Sequence, residues 1–180
     1  MRHHRAKSRS SLDMSHFAVA YQGNWFSIAT AAAGEEVVQA ADEALIVPLT
    51  AEGEVLLSLE PSAAFGEPTL ILPGGIVEAG EAPAEAADRE LQEEIGYKAG
   101  RLDFLGELRP FSKYFAVRSF VFLARDLIPS KLAGDEDYEV GIERVPLSDF
   151  ESLIANGRLH DARVIAALYL ARSSLNIEDS

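Results

Sequence analysis

The chain has no cysteine, which excludes disulfide bonds and thiol catalysis. Positive charge is scarce: 16 Lys and Arg stand against 29 Asp and Glu, a net charge of −13. Such a surface disfavours nucleic-acid backbones and anionic membranes as partners. An anionic substrate then needs a metal ion or a local basic group in order to approach. No apolar run is long enough to span a bilayer. Residues 1–11 are basic but lack the apolar stretch of a secretory signal, so the cytoplasm is the expected location. Internal repeats and low-complexity blocks are also missing.

What is present is the composition of a soluble globular protein, 48% hydrophobic and 25% charged over 180 residues, a length that fits one domain. Arg2, His3, His4, Arg5, Lys7 and Arg9 occur with almost nothing apolar, so residues 1–13 read as a disordered basic tail and 14–180 as a single domain. Met14 is an alternative start. Strands are expected at 17–21 and 25–30, at 44–48 and 54–59 as a buried hairpin, and at 69–72, 102–108, 114–124 and 139–145. Residues 147–155 begin a helix with Ser148 as its cap, and a second helix follows Asp161, with Val164, Ile165, Leu168 and Ala171 on one face. A mixed β-sheet between helices makes the fold class α/β, an α/β/α sandwich.

Residues 75–97 carry the chemistry. Gly75 is followed by Glu81, then Arg89-Glu90-Leu91, Glu93-Glu94 and Gly96. Pro83 suits an early helical position, Ala84, Ala86 and Ala87 favour helix, and Gly96 supplies a stop, so a helix is expected from about Ala82 to about Ile95. At 3.6 residues per turn, Glu90, Glu93 and Glu94 leave one side, with Leu91 and Ile95 forming an adjacent apolar strip. Three carboxylates this close repel at neutral pH. Oxygen-only ligands favour hard divalent ions, with Mg²⁺ the natural candidate and Mn²⁺ a substitute.

The spacing Gly75…Glu81…Arg89-Glu90-Leu91-x-Glu93-Glu94-x-Gly96 resembles the Nudix box, with Tyr97 standing where that family usually has an aliphatic residue. The resemblance implies that Arg89 pairs with Glu81 and orients the glutamates. It also implies that Glu90, Glu93, Glu94 and the Gly74 carbonyl ligate metal, with Gly75 turning the backbone toward the substrate. Beyond the box, Leu102-x-Phe104-Leu105, Tyr114-Phe115, Asp126-Leu127-x-Pro129, Lys131-Leu132-x-Gly134-Asp135-Glu136, Arg144-x-Pro146-Leu147 and Ala162-Arg163-x-x-x-Ala167-Leu168-x-Leu170 are similar to the bacterial ADP-compounds hydrolases of the ADP-ribose pyrophosphatase branch. In that branch the catalytic base often lies on the acidic loop: Glu136 matches best, Glu139 is the reserve, and Glu93 is the rival on the helix. The N-terminal half of the branch supplies dimer contacts and adenine-stacking aromatics, roles open to Phe17, Tyr21, Trp25 and Phe26, each of which also suits a core position.

Three positions depart from the branch. Leu59 replaces a common arginine, residues 69–71 offer no glutamate before Leu72-Pro73, and Ser112 stands where a proline is usual. The expected activity is Mg²⁺-dependent hydrolysis of a nucleoside diphosphate linked to a second group, with ADP-ribose giving AMP and ribose 5-phosphate. The partner is a small nucleotide and the assembly a homodimer. Alternatives are nucleotide-sugars, dinucleoside polyphosphates, NADH or nucleoside triphosphates as substrates, or a non-catalytic ligand sensor on the same fold.

Overall fold

The computed structural model describes residues 17–31, 34–133 and 141–178. In chain order these form β1 (Phe17–Gln22), β2 (Phe26–Ala31), β3 (Glu36–Ala40), β4 (Glu43–Pro48), β5 (Glu54–Pro61), β6 (Pro68–Ile71) and β7 (Gly74–Ile76). Helix α1 (Pro83–Glu94) follows, then β8 (Tyr97–Leu108), β9 (Phe115–Ala116), β10 (Ser119–Pro129), β11 (Gly141–Pro146), α2 (Phe150–Ala155) and α3 (Ala162–Glu178). Three sheets result, ordered β1-β2-β3-β9, β7-β4-β10-β8 and β11-β5-β6.

Strands β4 and β10 are apolar on both faces, and their alternation separates two cores. Ala44, Ile46, Phe120, Phe122 and Ala124 point to a layer closed by Ala86, Ala87, Leu91 and Ile95 around α1. Leu45, Val47, Val121 and Leu123 point the other way, to Phe150, Leu153, Val164, Ala167, Leu168 and Ala171 of α2 and α3. The α/β/α sandwich follows directly from this period of two. Ala86 and Ala87 are fully buried, and their small side chains let α1 lie close on the sheet.

Several expectations change. Residues 44–48 and 54–59 are not a paired hairpin: β4 pairs parallel with β10 and antiparallel with β7, while β5 pairs with β11 and β6. Only a bridge between Leu49 and Val55 joins them at the Thr50–Glu54 turn. Each strand is buried on two faces and needs neighbours that a two-stranded ribbon does not supply. The stretch 114–124 is broken into β9 and β10, and β3 and β7 were not anticipated. Ser148 is not a cap; α2 begins after Asp149, whose side chain bonds no helix N–H. The basic tail 1–13 lies outside the described residues.

Candidate active site

Helix α1 starts without a capping side chain at Ala82, so Glu85 reaches back to bond the Ala82 N–H at 2.9 Å. Its apolar strip is bound to the sheet, which turns the acidic side toward β7 and the loop before the helix. Strand β7 runs beside β4, with Gly74 opposite Leu45 and Gly75 opposite Ala44. Gly74 is required by backbone crowding, and a side chain at Gly75 would displace the Glu90 carboxylate. A Cβ on Gly74 would lie 2.2 Å from the Ala44 carbonyl oxygen, and one on Gly75 would lie 2.3 Å from Glu90 Oε1.

Arg89 is the centre of the arrangement. Its Nε donates to Glu81 Oε1 at 3.0 Å, and its Nη1 donates to Glu90 Oε1 at 2.7 Å and Glu93 Oε2 at 3.0 Å. Its Nη2 donates to the Ile76 carbonyl and to Glu81 Oε2, both at 3.1 Å. One guanidinium therefore ties β7, the loop and the helix together, using the fixed fork that lysine lacks. Glu81 also accepts the Glu78 N–H, which closes the loop on itself. Hydrogen bonding to Arg89 is the main reason the Glu81 carboxyl sits below its ordinary pKa, against the opposing effect of burial. The Arg89 guanidinium is raised in turn, chiefly by Glu81. Glu94 is 9% exposed, and its Oε2 accepts the Gly74 N–H at 3.0 Å.

Glu81, Arg89, Glu90, Glu93, Glu94, Gly74 and Gly75 are thus brought together. The Gly74 N–H is already engaged with Glu94. Glu136 and Glu139 lie outside the described residues.

Beside β7 opens a cleft of about 460 Å³ whose lining includes Trp25, Phe26, Ser27, Gln39 and Ile76. Trp25 is 72% exposed, and the Tyr21 and Phe26 rings lie 6.2 Å apart. Three of the four aromatic candidates therefore lie in or next to the cleft; the side chain of Phe17 is not described. Sequence reasoning missed Ser27 and Gln39, two buried polar groups on the cleft lining with Ser27 Oγ 3.4 Å from Gln39 Oε1. Their signal was weak: single polar residues in otherwise apolar strands. Leu59, at the end of β5 opposite Gly141, is half-exposed.

The NUDIX domain family matches residues 39–168, from the end of β3 through the Arg89-centred loop and helix into the first half of α3. The chain belongs to the Nudix family. It is a Nudix hydrolase, 34% identical over 131 residues to the ADP compounds hydrolase NudE of Escherichia coli (strain K12), covering 73% of this chain and 70% of that protein. It is 28% identical over 139 residues to the ADP-ribose pyrophosphatase of Bacillus subtilis (strain 168), covering 76% and 75%. A solved structure, the crystal structure of an ADP compounds hydrolase, superposes with a TM-score of 0.77 at 27% identity, covering 90% of this chain and 92% of that one.

Nudix hydrolases generally need a divalent metal. The donor set of this chain suits a hard one: Glu81, Glu90, Glu93 and Glu94 offer carboxylate oxygens around β7, and the absence of a Cβ at Gly75 lets the Glu90 carboxylate lie against that strand. The Glu90 and Glu93 oxygens named above face Arg89, and among the described residues no three His, Asp or Glu side chains converge on one point. Among the described residues no helix is long and apolar enough to cross a membrane.

Proposed function

We propose that this Nudix hydrolase cleaves the diphosphate bond of ADP-linked compounds, ADP-ribose or a close relative, with Mg²⁺ as its natural cation and Mn²⁺ as a substitute. The observation that carries the reading is the aromatic cleft meeting the glutamate cluster at one residue. Ile76 lines the cleft with its side and gives its carbonyl to Arg89. A nucleobase stacked near Trp25 and Phe26 then has its phosphates beside Gly75 and the helix. The names of the two bacterial relatives support an adenine nucleotide.

Glu90, Glu93 and Glu94, with the Gly74 carbonyl, would hold the metal. The metal supplies charge neutralisation at the diphosphate when bound. Arg89 keeps Glu90 and Glu93 aimed at β7. Gly75 allows the diphosphate to approach the backbone. Glu136 accepts the proton of the attacking water, with Glu139 and Glu93 as the other carboxylates able to do so. The enzyme works in the cytoplasm as a homodimer, for which exposed Val19, Tyr21, Trp25 and Phe26 offer apolar surface on the N-terminal sheet.

The test is kcat/KM for ADP-ribose, diadenosine triphosphate and NADH against UDP- and GDP-sugars, with and without EDTA. Preference for the adenine compounds and loss of turnover in EDTA are expected. Preference for the others, or full activity without metal, overturns the reading. For the base, Glu136→Gln lowers kcat with Mg²⁺ affinity nearly unchanged, whereas Glu93→Gln weakens both. Normal turnover by Glu136→Gln moves the role to Glu93 or Glu139.

A further inference from the structure

The last turn of α1 carries Glu93 and Glu94 and no basic residue. Carboxylates there face the negative end of the helix dipole, so the helix itself disfavours the charges the site requires. Its final carbonyls also have no partner within the helix. Both needs are met from outside, by the three residues that follow β10. The Lys131 Nζ donates to the Glu93 carbonyl and, at 3.4 Å, to the Glu94 carbonyl. The Leu132 N–H donates to the Gln92 carbonyl at 3.3 Å, and the Ser130 N–H to the Gly96 carbonyl at 2.9 Å. Ser130 Oγ donates to Gln92 Oε1 at 2.8 Å, and Gln92 is anchored in turn on Asp88. Gly96, with φ of 75°, ends the helix where Lys131 crosses it: a Cβ there would lie 3.5 Å from Lys131 Cδ.

We propose that Lys131, set in the strap Ser130–Leu132, is a positioning residue for the metal ligands Glu93 and Glu94. The inference rests on the metal reading above. The strap acts through the backbone. Helical side chains tilt toward the N-terminus while the carbonyls point toward the C-terminus, so Lys131 holds the turn from the end opposite the carboxylates. It supplies the missing cation for the dipole and keeps the turn from fraying.

Two measurements on Lys131→Met and Lys131→Arg test this. Amide hydrogen exchange on the metal-free protein should be faster at Leu132 and Ile95 in Lys131→Met and close to wild type in Lys131→Arg. Mn²⁺ titration should show binding weakened about two- to fivefold by Lys131→Met, the size of a helix-terminus charge effect, and restored by arginine. At about 1 M salt, where the Debye length is about 3 Å, the weakening should shrink as the dipole effect is screened but keep its sign, because the hydrogen bonds to the Glu93 and Glu94 carbonyls remain. Tighter Mn²⁺ binding by Lys131→Met that vanishes in high salt would show a bystander charge and overturn the proposal, as would unchanged exchange. Wild-type protein that binds no Mn²⁺ overturns the metal reading and this proposal together, whatever the exchange shows.

Discussion

The box helix and the N-terminal sheet differ in how tightly they are specified. Around α1, a single arginine makes five hydrogen bonds, the Ala44 carbonyl leaves no space for a side chain at Gly74, and a strap from β10 closes the helix end. On the N-terminal sheet, Trp25 and Phe26 stand exposed over a cleft where Ser27 Oγ and Gln39 Oε1 lie 3.4 Å apart, a long hydrogen bond. The contrast teaches where precision is needed. Under the proposed function, charge neutralisation at a diphosphate would depend on ligand placement, which accords with carboxylates held from several directions. Stacking of a base on a flat ring, the role proposed for Trp25 and Phe26, would tolerate slippage and ask less of its surroundings.

The comparison breaks most decisively at Glu94. Glu94→Gln keeps an acceptor for the Gly74 N–H but removes a negative charge, so the fold should persist while kcat falls a hundredfold or more, about 2.7 kcal/mol in barrier. Near-normal kcat at saturating Mg²⁺ would remove Glu94 from the site. On the other side, Trp25→Ala should raise KM for ADP-ribose with little change in kcat. Stacking worth about 1–3 kcal/mol sets the scale. An unchanged KM would show that the cleft does not hold the base.

The smallest effect concerns acid stability. Glu81 has its pKa lowered by Arg89, so its contribution to stability is present above the ordinary carboxylate value and lost as pH falls through the depressed one. The stability gap between wild type and Arg89→Met should therefore be widest at neutral pH and narrow below about pH 4. Urea titrations at several pH values measure it; a gap independent of pH would contradict the pairing.

Local signals carried most of what the sequence disclosed. Helix α1 is observed at Pro83–Glu94 because proline, alanines and the terminal glycine all act within a turn or two. The Arg89–Glu81 pair, which the family resemblance implied, is also observed. The hairpin expectation failed because the true neighbour of Ala44 is Phe120, which no local pattern indicates. The cleft was half legible: the aromatics stood out, but Ser27 and Gln39 matter only once β2 and β3 pair. Leu132 and Lys131 matched a family pattern without any visible reason until the strap placed them on the helix end.

The parallel pairing of β4 with β10 has a consequence for biosynthesis. Asp42 is held by Arg118, and Glu43 by Ser119, each across 76 residues of chain. On the ribosome the glutamates of α1 emerge well before Phe120 and Phe122, the floor on which that helix rests. A nascent chain arrested ahead of Ser119 therefore carries the whole motif yet has no sheet to aim it. If these carboxylates bind metal as proposed, they do so only once a strand made later slides in beside one made earlier, and metal capture would then report completion of the central sheet.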